Sequence, residues 1–194
     1  AFMSQYLAID WSLHEVRFVL ASGKGKALKL KAAGAVPIAQ PDQPDDQPDA
    51  VSPEAIGQAL RQALAPHKVG KARALVGIGR GSVELHRMSL PPATDEELPA
   101  LVANQVQREF TTASEASVVD FAADAAAAGQ SRQVTAAVMS AEEFNRVRAV
   151  CAAAGLIPHR IVLRPFAAAA LYSASEPHAA DRSDLFALHG LVDF

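Results

Sequence analysis

Val134-Thr-Ala-Ala-Val-Met139 runs directly into Ser140-Ala-Glu-Glu143. An alanine-rich stretch follows and closes at Gly155. Then come Leu156-Ile-Pro-His-Arg-Ile-Val-Leu163 and Arg164-Pro-Phe-Ala-Ala-Ala-Ala-Leu171. The first piece is apolar and rich in β-branched residues, as a buried strand requires. Ser140 and Glu143 have the spacing of a capping box, in which the serine oxygen takes a free helix amide and the glutamate reaches back. Gly155 supplies the left-handed cap that ends the helix. Pro158 opens a second strand, and Pro165-Phe166 begins an alanine-rich helix to about Ser173. This strand–helix–strand–helix order makes the chain α/β.

Toward the N-terminus, Tyr6-Leu-Ala-Ile-Asp10 is a short apolar run ending in an acid. Glu15-Val-Arg-Phe-Val-Leu20 alternates and enters the turn Ser22-Gly-Lys-Gly25, after which Ala27-Leu-Lys-Leu-Lys31 alternates again. Three tightly connected strands predict an antiparallel meander. Ser52-Pro-Glu54 opens a helix with stripe residues Ile56, Ala59, Leu60, Ala63 and Leu64, and residues 72–78 form the next strand. Residues 40–50 are a Pro/Asp repeat. Proline removes backbone donors and the aspartates repel, so a disordered acidic loop is expected there, with an acidic recognition segment as the alternative.

A second unit starts after Gly79-Arg-Gly-Ser82. Residues 83–90 alternate, with Val83, Leu85 and Arg87 on one side, and Pro91-Pro92 stops the run. Thr94-Asp-Glu-Glu97 is a capping box for a helix to about Phe110, in which Pro99 is expected to cost roughly one backbone bond. Residues 117–122 and 133–139 read as strands joined by a loop at 123–129. Residues 185–194 read as a last strand, and an end without turn or polar tail reads as truncation of a longer protein.

Composition narrows the function. The 194 residues are half hydrophobic and one-fifth charged, a globular balance. The net charge of −3 argues against a surface built to neutralise nucleic-acid phosphates. One cysteine excludes a disulfide framework and a multi-cysteine zinc site. No apolar run of about 18 residues predicts a membrane span, and Ala1-Phe-Met-Ser4 is no signal peptide, with Met3 reading as a natural start. A reducing, cytoplasmic setting is the expectation.

The motifs are few. Asp10-Trp-Ser-Leu-His-Glu-Val16 places a carboxylate at a strand end before a tight hairpin, the arrangement that holds a metal-bound nucleotide phosphate when glycine lets the amides approach. Here Trp11, Ser12 and Leu13 fill the turn. Gly77-Ile-Gly-Arg-Gly-Ser82 precedes a strand rather than a helix, so it reads as a turn between units and not a dinucleotide loop. The six histidines are scattered, and no metal site is expected. Cys151, inside a helix, reads as a small buried residue. For partner binding the candidates are Leu85, Arg87, Leu101, Gln105 and Arg108. The last three fall at i, i+4 and i+7 on one helix face, and the arginines suit acids or carbonyls of a peptide. The alternative is that Leu85 and Leu101 are core and both arginines are solvated.

Three segments together carry a resemblance: Leu7-Ala-Ile-Asp10 with its hairpin, residues 83–110 with Leu90-Pro-Pro92, and residues 134–171. They resemble the PilM-like type IV pilus assembly proteins of the actin-like ATPase superfamily, and more loosely the cytoplasmic part of GspL and the cell-division protein FtsA. The resemblance implies an actin-like (ribonuclease H-like) half-domain at residues 5–81 and 164–194, with an inserted α+β subdomain at 82–163. It also implies a cytoplasmic scaffold, peripheral at the inner membrane, that docks the tail of a bitopic membrane protein (PilN-like) or holds a secretion ATPase. The family hairpin reads Asp-x-Gly-x-x-Ser. Only Asp10 survives, since Ser12 stands where glycine is expected, so no catalysis and no cofactor are expected in these residues. ATP with magnesium would belong to a full-length form, and the competing reading is an ATPase whose second half lies outside this chain.

Overall fold

The computed structural model describes residues 4–24, 27–38, 51–70, 72–110, 114, 116–127, 129–175 and 192–193. The loop expected at 40–50, and most of the strand expected at 185–194, lie outside the described residues. In chain order the elements are β1 (Ser4–Trp11), β2 (Glu15–Lys24), β3 (Ala27–Pro37), α1 (Pro53–Leu64), β4 (Arg73–Ile78) and β5 (Glu84–Leu90). They continue with α2 (Leu98–Glu109), β6 (Val118–Ala123), β7 (Arg132–Met139), α3 (Ala141–Ala154), β8 (Pro158–Leu163), α4 (Arg164–Ser175) and β9 (Val192–Asp193). Two compact units result: Ala1–Ile78 with Asn145–Ile161 and Asp193–Phe194, and Gly79–Phe144 with Val162–Val192. Among the described residues no helix is long and apolar enough to cross a membrane.

The first unit is built on a sheet of order β3-β2-β1-β4-β8-β9. The expected meander is present: β1 pairs antiparallel with β2 and β2 with β3. Register follows burial, because Leu7 faces Leu20, Ile9 faces Phe18 and Trp11 faces Val16, which keeps the buried residues on one side. β4 runs parallel to β1, as a crossover through α1 requires. α1 packs on β2 and β3 through its stripe, with Ile56 and Leu60 fully buried. Its start is capped as expected, since Ser52 Oγ accepts from Ala55 N at 3.2 Å and Pro53 lies in the first turn. α3, from Asn145 on, meets α1 at Gly57, where an added Cβ would stand 2.4 Å from Ala153 Cβ. Gly155 ends α3 with φ +72°, the left-handed cap its position predicts.

The second unit is a three-stranded antiparallel sheet, order β5-β7-β6, with α2 packed on β7. Its core is Met88, Leu90, Leu98, Val102, Val106, Phe110, Val134, Ala136 and Val138. Arg132, at the head of β7, donates to Ala93 O at 3.2 Å and to Asp95 Oδ1 at 2.8 Å, which ties the approach to α2 onto the sheet.

Three expectations need correction. Strand β8 joins the six-stranded sheet beside β4, whereas the resemblance implies that residues to 163 belong to the inserted subdomain. Its Ile161 and Leu163 are fully buried, and a strand that follows a crossover helix returns to its own sheet. Helix α4 groups with the second unit instead of the first. A run of alanines buries little area on any face, so its pattern does not choose a neighbour. Pro99 costs no helix bond, because α2 begins at Leu98 and the proline falls in the first turn, where the amide has no intrahelical acceptor. Glu97 still reaches back to Thr94, accepting from its N–H at 2.9 Å and its hydroxyl at 3.0 Å. Those bonds, the backbone one first, hold its carboxyl below the usual range.

Candidate functional site

The hairpin between β1 and β2 is closed on itself. Asp10 and Arg17 are cross-strand partners, and Arg17 Nε donates to Asp10 Oδ1 at 2.6 Å. Arg17 Nη1 also lies 3.6 Å from Glu15 Oε1. Ser12 Oγ accepts from both His14 N and Glu15 N at 3.3 Å, while Ser12 N donates to Glu15 O at 2.9 Å. In a phosphate hairpin such amides point at the ligand. Here the Ser12 hydroxyl oxygen accepts from those amides in the place a phosphate oxygen would take. Calorimetric titration with Mg·ATP is therefore expected to give no saturable micromolar binding. Saturable heats would overturn this assignment.

A cleft of about 660 Å³ lies wholly within the second unit. The Arg80–Ser82 turn, the first residues of β5, Val138 and the Ser140–Glu143 helix start line it. Ser82 Oγ donates to Glu143 Oε1 at 2.9 Å across 61 residues of sequence. Glu143 N donates to Ser140 Oγ at 3.2 Å, the helix cap that the capping box predicts. Arg80 Nη1 donates to Val83 O at 2.7 Å, which folds the turn under β5. His86 Nε2 lies 3.2 Å from Glu84 Oε1, and its ring packs on Phe110 with centroids 4.4 Å apart. Three carboxylates, from Glu84, Glu142 and Glu143, meet one guanidinium, from Arg80, so the lining is acidic.

The structure separates the five partner-site candidates. α2 packs on the sheet face carrying Met88 and Leu90, and strand alternation turns Leu85 and Arg87 to the opposite face. Leu85 lines the cleft, and exposed Arg87 donates to Asp124 Oδ2 at 2.7 Å. Leu101 packs against the core, Gln105 donates to Glu109, and Arg108 is exposed in the last turn of α2. The strand pair and the helix trio thus start from opposite faces of the sheet. The residues that define the cleft beside Leu85, namely Arg80, Ser82, Glu142 and Glu143, are not among the sequence candidates. The Ser140/Glu143 capping box marks two of them, but as helix-start residues only. Cys151 is fully buried, and burial pushes its thiol up to about 11, so it is protonated at neutral pH and packs as a small apolar group.

No protein-family model and no curated protein matches this sequence. Among solved structures it is similar to a chain of the PilM–PilN type IV pilus biogenesis complex, with TM-score 0.71 at 22% identity, covering 88% of this chain and 50% of that one. It is also similar to the cytoplasmic domain of EpsL, an inner-membrane component of the Vibrio cholerae type II secretion system. There the TM-score is 0.52 at 13% identity, covering 84% of this chain and 58% of that one. The chain thus spans about half the length of these structures. The shared fold is the actin-like α/β fold expected from the sequence.

Proposed function

We propose that this chain belongs to an actin-like scaffold of a type IV pilus or type II secretion assembly platform, cytoplasmic and held at the inner membrane by a partner. The observation that carries the reading is the match over most of the chain to a structure of a pilus biogenesis complex. The self-bonded Ser12 turn supports a scaffold over an ATPase, since the amides needed for phosphate are already taken. The second unit is the docking body for the tail of a bitopic membrane protein, with Leu85 in the cleft and Arg87 next along the same strand face. Leu101, Gln105 and Arg108 lie on another surface and contribute nothing to that site.

The test is fluorescence anisotropy with the labelled cytoplasmic tail of the bitopic membrane protein encoded beside this chain. Saturable binding is expected. Leu85→Asp should weaken it about tenfold or more, since an unpaired charge would enter a desolvated contact. Arg108→Glu should leave it unchanged. Full binding by a folded Leu85→Asp protein would move the site away from the cleft, and no tail binding at all would overturn the docking role.

A further inference from the structure

We infer that the cleft at the head of β5 selects a basic, extended segment, whose lysine or arginine side chain is received by Glu142 and Glu143. This rests on reading the cleft as the tail-docking site, and it names the chemistry of the tail.

Two observations converge. The sheet order leaves β5 at an edge of the three-stranded sheet, and His86, Arg87 and Ser89 along it are exposed. Such an edge offers backbone donors and acceptors to an added strand. The cleft at the start of that strand carries the opposite charge to a basic ligand. Helix starts ordinarily attract anions through their free amides. At α3 the Ser140 hydroxyl already takes the Glu143 amide, and the first turn carries two carboxylates, so the local preference is reversed. Ser82 occupies one Glu143 oxygen, and Glu142 is exposed in the same turn. Arg80 donates to Val83 O with Nη1, so its guanidinium is anchored to the turn. A cation entering the cleft meets acceptors from Glu142 and Glu143, while an anionic segment meets three carboxylates. Segments next to a membrane on the cytoplasmic side are enriched in lysine and arginine. A membrane-anchored tail is therefore the occupant that this charge fits.

The experiment uses the whole chain and three labelled peptides of equal length. One alternates lysine with valine and leucine, one replaces each lysine by glutamate, and one keeps the lysines but alternates them with glycine. The lysine/valine peptide should bind saturably and the glutamate peptide should not. The lysine/glycine peptide should bind several-fold more weakly, because it resists an extended backbone. Glu142→Gln should weaken the lysine/valine peptide about threefold, and Glu142→Gln with Glu143→Gln about tenfold. Glu54→Gln, an equal charge change on α1, should have no effect. Equal binding of the lysine and glutamate peptides, or equal effects of Glu54→Gln and Glu142→Gln, would overturn the inference. The double variant is checked by its thermal melt. If Glu143→Gln unfolds the chain, Glu142→Gln alone decides. A neighbour-encoded tail that binds through Leu85 but ignores both glutamine changes sinks the charge selection and leaves the docking site standing.

Discussion

Gly57→Val is expected to destabilise the first unit by about 2–3 kcal/mol. The prediction sets two opposed effects against each other. Glycine in a helix interior costs about 1 kcal/mol relative to alanine, so filling it would ordinarily help, less so with β-branched valine. Here an added Cβ would stand 2.4 Å from Ala153 Cβ, 2.7 Å from Val150 O and 3.1 Å from Ala153 C. Two of those three atoms are backbone, and neither moves without shifting α3. Overlap therefore wins, and valine brings two further carbons into it. Urea unfolding followed by Trp11 fluorescence reads the effect in the same unit. Ala153→Gly in the Gly57→Val background should return part of the loss, since it removes the nearest atom. An unchanged or raised midpoint for Gly57→Val would show that the two helices separate freely at this point.

Leu98→Ala is expected to cost about 2–5 kcal/mol in the second unit, the range for truncating a buried leucine where the cavity cannot collapse. Leu98 is 2% exposed and packs in one cluster with Met88, Leu90, Val102, Val106, Phe110, Val134, Ala136 and Val138. It also opens α2, beside Pro99, so the helix cannot slide to refill the gap. Leu30→Ala, on the exposed edge strand β3, should change stability by less than about 0.5 kcal/mol. Far-UV circular dichroism melts of both variants make the comparison. A Leu98→Ala melt equal to that of Leu30→Ala would mean that α2 does not hold this sheet.

Element identities were legible because their signals are local. Ser52, Ser140 and Gly155 each act within one helical turn, and the alternation of Leu7, Ile9, Val16, Phe18 and Leu20 repeats over two residues. The closed β1–β2 hairpin was half legible. Ser12 in place of glycine is visible in the chain, while its capture of the His14 and Glu15 amides is a property of the folded turn. The candidate site was legible only at Leu85. The helix pattern that offered Leu101, Gln105 and Arg108 reports which residues share a face of α2, and nothing in that periodicity says on which side of the sheet α2 lies.

The sequence by itself determined the α/β class, the meander and the capped helices, because short-range sterics and hydrogen bonds decide those. Tertiary structure alone decided that β8 returns to the first sheet and that Pro99 falls harmlessly in a first turn. It alone decided that Ser82 meets Glu143 to shape an acidic cleft. Those outcomes depend on which surfaces bury each other across long separations. Burial energy follows the area removed from water, and the spacing of residues along the chain does not specify it.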